Sequence, residues 1–206
     1  MGSAGKSQVR PRAPPRRGAS ARVLRIIGGT WRGRKLRFPD RPDLRPTPDR
    51  VRETLFNWLG TRTAGARCLD LFAGSGALGL EALSRGAAHV TFVEHDPVAA
   101  RELRARLAQW QASGAEVECA DALQFLHGTP EPFDLVFLDP PFGSQLLAGA
   151  ARGLSERGWL RPEARIYVES PARGGAPQLP GAFSPLKAKR AGEVGYHLYA
   201  YSGGPV

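Results

Sequence analysis

From about residue 66 onward the apolar positions alternate between two periods. Short runs with the two-residue repeat of a strand are followed by segments with the 3.6-residue repeat of a helix. A strand-like run at about 67–72 leads through a glycine turn into a helix at 77–86. A second strand at 88–93 ends before Asp96 and Pro97, which read as a cap and a first helical residue, and Leu103, Leu107 and Trp110 mark the buried face of that helix. A strand at about 115–119 precedes a short helix at 121–127. Phe133 to Leu138 is an unbroken apolar run, the pattern of a central strand covered on both faces. A helix at about 144–157, a fifth strand at Ala164 to Val168, and two segments at about 183–191 and 194–201 complete the chain. The last two read as an antiparallel pair closing the sheet edge. Alternating strands and helices imply right-handed crossovers. The expected fold is α/β, a seven-stranded, mostly parallel sheet with an antiparallel edge hairpin.

The first third of the chain is different. Residues 1–20 are rich in Pro, Arg, Gly and Ser, with Val9 their one aliphatic residue of any size, too little apolar surface to offset ordering entropy. Residues 22–38 alternate around Gly28-Gly29 and Gly33 and read as a hairpin with arginines on its exposed side. After a turn from Arg41 to Pro46, Thr47 reads as an N-cap and Pro48 as the first helical residue, with Val51, Leu55, Trp58 and Leu59 as the apolar face. The expected organisation is a disordered basic tail (1–21), a small N-terminal hairpin-and-helix extension (22–62) and a main domain (63–206).

Charge sharpens that division. Residues 1–52 hold 15 Lys/Arg against 3 Asp/Glu, a net of +12, whereas the remainder is −2, so the chain's +10 sits in its N-terminal arm. Concentrated positive charge attracts polyanions through a salt-sensitive term. The 206 residues, 42% of them hydrophobic, suffice for one domain with a core. No apolar run approaches the roughly 18 residues of a membrane span. The two cysteines, Cys68 and Cys119, lie in strand-like runs and read as buried thiols, neither a disulfide framework nor a zinc site. The four histidines show no metal-ligand spacing. A reducing cytoplasm, no metal and a monomeric state are the expectations.

Two constellations carry candidate chemistry. Gly74, Gly76 and Gly79 form G-x-G-x-x-G between a strand and a helix, and Glu94 follows 20 residues after Gly74, which by pattern alone is a dinucleotide fingerprint. Asp70 argues against a pyrophosphate there, because a carboxylate just before the turn repels it. S-adenosylmethionine carries an ammonium and a sulfonium and no phosphate, and suits that carboxylate. Glu94 is then placed for ribose hydroxyls, and Asp121-Ala122 for the adenine edge. Three acids at three consecutive strand ends lie where ligands bind in open α/β sheets.

The second constellation is Asp139-Pro140-Pro141-Phe142, directly after the buried strand. The prolines fix φ and remove two donors, leaving a rigid turn of acceptors. Its target should offer N–H groups, as an exocyclic amine on a nucleobase does. The Asp139 carboxylate and the Pro140 carbonyl can hold the two hydrogens of such an amine and favour its pyramidal transition state. Phe142 can stack on the base. Methylation at a pyrimidine ring carbon would need a cysteine nucleophile, for which neither cysteine is suitably set.

Together these residues resemble the Rossmann-like class I S-adenosylmethionine methyltransferases. More narrowly, Arg25-Ile26-Ile27-Gly28-Gly29 through Leu36, Arg45-Pro46-Thr47 through Leu59, Cys68 through Gly86, and Trp159-Leu160 through Glu169-Ser170 resemble the RsmD family, bacterial 16S ribosomal RNA guanine-N2 methyltransferases. The likeness runs from about residue 22 to 201. The glycine and Asp-Pro-Pro-Phe motifs are shared by many amino-methyltransferases, and the Arg45–Leu59 stretch is far more specific. The resemblance implies S-adenosylmethionine as cofactor and a guanine in 16S ribosomal RNA, or in the assembling small subunit, as target. It implies Asp139, Pro140, Pro141 and Phe142 as catalytic. Thr47, Asp70, Phe72, Ala73, Gly74, Ser75, Gly76, Glu94, His95, Asp121 and Ala122 would border the cofactor, with Thr47 at its methionine end. Arg25, Arg32, Arg34, Lys35 and Arg50 would contact RNA. Residues 1–20 fall outside the resemblance, and His95 is given no catalytic duty.

Three alternatives stand beside this reading. The tetrapeptide also fits a DNA adenine-N6 or cytosine-N4 methyltransferase, although 206 residues show no region large enough for a sequence-reading domain. The glycine turn fits an NAD-dependent oxidoreductase, which leaves Asp139–Phe142 without a role. A non-catalytic RNA-binding protein would not need Asp139 or the glycines.

Overall fold

The structure, a computed structural model, describes residues 21–39 and 47–203. The expected tail over 1–20 and the turn from Arg41 to Pro46 lie outside the described residues. In chain order the elements are β1 (Ala21–Arg25), β2 (Lys35–Pro39), α1 (Asp49–Leu59), β3 (Arg67–Asp70), α2 (Ala77–Ser84), β4 (His89–Val93), α3 (Pro97–Gln109) and β5 (Ala115–Glu118). They continue with α4 (Ala122–Phe125), β6 (Phe133–Leu138), α5 (Leu146–Glu156), β7 (Leu160–Pro171), β8 (Phe183–Ala191) and β9 (Val194–Tyr201).

Strands β1 and β2 form a separate antiparallel pair, with Leu24 opposite Leu36. The other seven make one sheet in the order β5-β4-β3-β6-β7-β9-β8, in which only β9 runs against its neighbours. The chain leaves β3 toward β4 and β5, then returns to place β6 on the other side of β3. That reversal opens a crevice at the carboxyl ends of β3 and β6, where a ligand can enter without displacing a crossover.

One core lies on each face. Leu24, Ile26 and Leu36 of the hairpin, Val51, Leu55, Phe56 and Leu59 of α1, and the buried residues of α2 and α3 pack on one. Residues of α4 and α5 with Trp159 pack on the other. The N-terminal extension therefore adds to a core it shares with the sheet.

The extension is tied down by one buried polar network. Arg52 of α1 and Glu81 of α2 are both 0% exposed. Arg52 Nη1 donates to Glu81 Oε2 at 3.1 Å, Nη2 donates to the Arg25 carbonyl at 2.7 Å and to Asp49 at 2.6 Å, and Nε donates to the Thr47 carbonyl at 3.2 Å. Glu81 also accepts the backbone N–H groups of Ile27 and Gly28 at 2.9 and 2.8 Å and the Arg85 guanidinium at 2.8 Å. Burial pushes the Arg52 guanidinium pKa down, and the charges of Glu81 and Asp49 oppose it. The hairpin turn closes on the end of α2, where Thr30 N–H donates to the Ser84 carbonyl at 2.7 Å. Gly29 is required there: its φ is +76°, and a Cβ would stand 1.6 Å from the Ser84 oxygen.

Several expectations are corrected. Thr47 makes no capping bond; α1 begins at Asp49 with Pro48 before it. Its hydroxyl is drawn instead to a distant carboxylate, Glu169. Strand β7 extends well beyond Ala164–Val168, because the chain resumes pairing at Phe133↔Leu160 after a bulge. Cys119 is exposed, since it follows the outermost strand, whereas Cys68 is buried in β3.

Replacing Arg52 with Met should cost about 3–5 kcal/mol, because it leaves Glu81 charged and buried beside an apolar side chain. Urea unfolding checks this, and a loss below about 1 kcal/mol would show that the network does not anchor the extension.

Candidate active site

The carboxyl ends of the parallel strands collect acids. Asp70 ends β3, is 2% exposed, and accepts the Gly79 N–H at 2.9 Å, so it braces the first turn of α2. The turn between them runs through Phe72, Ala73, Gly74, Ser75 and Gly76. Gly74 and Gly76 have φ of +51° and +75°, conformations in which glycine carries no steric penalty. Ala73 N–H reaches the Val93 carbonyl at 2.9 Å, which pins the turn to β4.

Glu94 follows β4 and is buried. Its Oε2 accepts Gly74 N–H at 2.7 Å and its Oε1 accepts Asp96 N–H at 2.8 Å. Glu94 thus links the glycine turn to the start of α3. His95 is exposed, its Nδ1 3.2 Å from Glu94 Oε1. Asp121 is exposed and caps α4, its Oδ1 accepting Leu123 and Gln124 N–H at 2.9 and 3.0 Å, with Ala122 buried behind it.

Burial raises the Asp70 carboxyl pKa to about 7; the charge of Glu94 adds to the rise and the Gly79 N–H opposes it. No basic side chain pairs with Asp70 among the described residues. The groups at this edge are acidic, and among the described residues no Lys or Arg pairs with Asp70 or Glu94, which fits a ligand bearing positive charge. They do not fit a pyrophosphate. No group of His, Cys, Asp and Glu that could hold a metal ion occurs among the described residues.

The second half of the site lies on the next strands. Asp139 leaves β6 half-buried, Pro140 is buried, and Phe142 is 48% exposed at the tip of the turn. The Pro141 carbonyl is taken by the Ser144 hydroxyl at 2.7 Å. Among the described residues nothing donates to the Pro140 carbonyl. Leu138 pairs with Val168, so the next residues, Asp139 and Glu169, stand side by side.

Sequence reasoning gave Glu169 no role. It is 4% exposed, and its Oε1 accepts the hydroxyls of Thr47 at 2.7 Å and Tyr167 at 2.9 Å. The signal was an acid closing the apolar run Ile166-Tyr167-Val168 one strand away from Asp139. Burial raises the Asp139 carboxyl pKa well above the ordinary range, and the charges of Glu169 and Asp70 add to the rise. Burial also raises Glu169, opposed by the Thr47 and Tyr167 hydroxyls. Thr47 is buried at the carboxyl edge, where the sequence reading expected it to border a ligand.

The expected RNA-contact residues divide between two ends of the molecule. Arg25, Arg32, Arg34, Lys35 and Arg50 are all exposed. Arg50 sits in the first turn of α1, near Thr47. Arg32 and Arg34 sit on the hairpin turn, which packs against Ser84 at the opposite end of α2 from the glycine turn. An eight-residue helix separates those ends by roughly 12 Å. The Arg34 guanidinium lies 5.9 Å from the Trp31 ring and 5.3 Å from that of Trp110. Those rings meet edge-on at 5.2 Å.

Comparison with known proteins places this geometry. The family model described as "Conserved hypothetical protein 95" matches residues 24–200. The ribosomal RNA small subunit methyltransferase D of Escherichia coli is 52% identical over 176 residues, 85% of this chain and 89% of that protein. A solved Escherichia coli structure superposes with a TM-score of 0.83 at 48% identity, covering 88% of this chain and 99% of that one. The fold also recurs in a Thermus thermophilus 16S ribosomal RNA N2 methyltransferase solved with S-adenosylmethionine and guanosine, at 24% identity and a TM-score of 0.65, covering 94% of this chain and 53% of that one.

The raised Asp70 pKa has a stability consequence. Between about 3.8 and 7 the folded protein keeps a proton that the unfolded chain releases, so Asp70 contributes less stability as pH rises through that window. Wild type should therefore lose urea resistance relative to Asp70→Asn between pH 5 and about 7.5, as midpoints across that range would register. Parallel midpoints would mean that Asp70 is not perturbed.

Proposed function

This chain belongs to the ribosomal RNA small subunit methyltransferase D (RsmD) family, and from that premise we propose that it transfers a methyl group from S-adenosylmethionine to the exocyclic N2 amine of a guanine in 16S ribosomal RNA. The observation that carries the reading is the pairing of two acceptors, the Asp139 carboxylate and the free Pro140 carbonyl, beside a glycine turn braced by the buried acids Asp70 and Glu94.

S-adenosylmethionine supplies the electrophilic methyl on a positively charged sulfur. Asp70, Phe72, Ala73, Gly74, Ser75, Gly76, Glu94, His95, Asp121, Ala122 and Thr47 would hold it. The Asp70 and Glu94 carboxylates match its cationic and hydroxyl groups, and the tight turn lets backbone approach it. Asp139 and Pro140 take one amine hydrogen each. They turn the nitrogen lone pair out of conjugation with the ring and aim it at the methyl group. As nitrogen gains the methyl it must lose a proton, and Asp139 is the acceptor in reach. Its raised pKa makes it a better base than an ordinary carboxylate. Phe142, exposed at the tip, stacks on the base, which is presented unpaired or flipped from its helix.

On this reading the enzyme works in the cytoplasm as a monomer on 16S ribosomal RNA or the assembling small subunit, without a metal. Arg25, Arg32, Arg34, Lys35 and Arg50 hold phosphates. Among the described residues no helix is long and apolar enough to cross a membrane.

Labelled S-adenosylmethionine incubated with small-subunit RNA, or with subunits lacking the modification, should yield N2-methylguanine. Asp139→Ala should lower the rate about 100-fold or more. Label in DNA adenine or cytosine and none in RNA would replace this reading.

Glu169→Gln removes the neighbouring negative charge and should let the Asp139 pKa fall. The acidic limb of the kcat–pH profile should then move to lower pH, with kcat retained on the alkaline side. A limb that stays in place would confine Glu169 to tethering Thr47.

A further inference from the structure

We propose that the outer strand β8 is a second RNA-backbone surface, on which Lys187 and Lys189, with Arg173 at the same edge, hold the phosphates that flank the target base. The proposal rests on the RNA-methylation reading above. Sequence analysis placed the excess charge in the N-terminal arm and treated β8 only as half of an edge hairpin.

Direction and register locate the surface. Strand β9 runs antiparallel to both β7 and β8, so β8 points the same way as β7 and β6 and its end lies at the catalytic edge. Lys189 pairs with Tyr196, and Tyr196 pairs with Glu169, the neighbour of Asp139. Asp139, Glu169, Tyr196 and Lys189 therefore form one row across four strands. At about 4.8 Å per strand, Lys189 stands roughly 14 Å from Asp139. Lys187 pairs with Leu198, which pairs with Tyr167, two rows lower and so on the same face. Tyr167, Tyr196 and Leu198 belong to the core that α1 covers, so both lysines project on the side where Arg50 and Thr47 lie.

The charges on β8 are available. Every residue from Ser184 to Arg190 is exposed, and the side chains of Lys187 and Lys189 make no hydrogen bond or ion pair with a described residue. No acid occurs between Phe183 and Ala191. Glu193 in the hairpin tip lies 3.5 Å from Arg173 and 3.9 Å from Arg190, and offsets part of their charge. Arg173 follows β7 directly, at the same edge.

Lysines on an outer strand also deter edge-to-edge pairing. Here that edge already carries Pro185, which has no N–H to offer, and a register shift between Pro185 and Lys187. Edge protection requires neither that the two lysines share a face nor that Lys189 stand in the row of Asp139, whereas both placements suit a polyanion that delivers its base to Asp139.

The test uses full-length protein and transcribed 16S ribosomal RNA. Binding is followed by fluorescence polarisation over a range of salt, alongside methyl transfer, thermal melting and light scattering. Lys187→Glu/Lys189→Glu should weaken binding about tenfold or more and raise KM for RNA. The milder Lys187→Gln/Lys189→Gln should make the slope of log affinity against log salt shallower by about 1.5. Lys187→Arg/Lys189→Arg should restore both. Wild-type affinity and slope in the Gln variant, or weakened binding that tracks only with aggregation, would overturn the proposal. If wild-type protein binds RNA but methylates none of it, the functional reading fails while the surface is still scored by affinity.

Discussion

Arg52 enters the interior carrying a full charge, and the surrounding backbone is arranged to receive it. Ionic groups cost several kcal/mol to strip of water, and that cost is repaid only where geometry satisfies every donor. Glu81 supplies the opposite charge, while the carbonyls of Arg25 and Thr47 and the carboxylate of Asp49 take three of the other four N–H groups. Those partners come from the hairpin, the turn before α1 and α2. One side chain therefore fixes three separate chain segments. An apolar residue could fill the space but could not specify the partners. Because Arg52 also holds the Thr47 carbonyl, the register that locks the extension to α2 also presents the Thr47 hydroxyl to Glu169. The catalytic edge depends in this way on a charge buried outside it.

At that edge the electrostatics run in the opposite sense. Asp70, Glu94, Asp139 and Glu169 are brought together by strand ends, with hydroxyls and backbone amides in place of cations. Burial lifts the first, third and fourth toward their neutral forms. The site therefore holds an unmet demand for positive charge or protons, and both are parts of amine methylation by a cationic cofactor. The same crowding penalises the empty site, a common feature of sites whose groups are placed for a ligand instead of for stability.

Local patterns carried most of the architecture into view. Phe133–Leu138 reads as a central strand because both of its faces are covered, and Glu94 reads as a strand-end acid from its spacing to Gly74. What escaped was non-local. The bond that draws Thr47 away from capping α1 joins residues 122 apart in sequence. Cys119 sits in an apolar-looking run, yet β5 is outermost and leaves it to solvent. Glu169 became visible only when β7 was paired with β6. The charge on β8 was hidden by averaging, because a net of −2 over residues 53–206 conceals a run of cations on one strand.

That averaging bears on how a polyanion could approach so acidic a crevice. To the extent that they are ionised, the carboxyls at the strand ends repel a phosphate backbone, and the repulsion acts over the roughly 8–10 Å Debye length of ordinary salt. A backbone held over the crevice itself would meet it in full. One held over β8, roughly 14 Å from Asp139 and about 10 Å from Glu169, would meet it weakened. The base, which is neutral, must then cross the remaining distance alone. Phe142 is built for that arrangement: it projects from a turn that two prolines make rigid, and it offers an apolar face outside the acidic floor. The separation of acids from bases across the sheet thus works as a sorting device, admitting the uncharged amine and its base while keeping the phosphates on the rim.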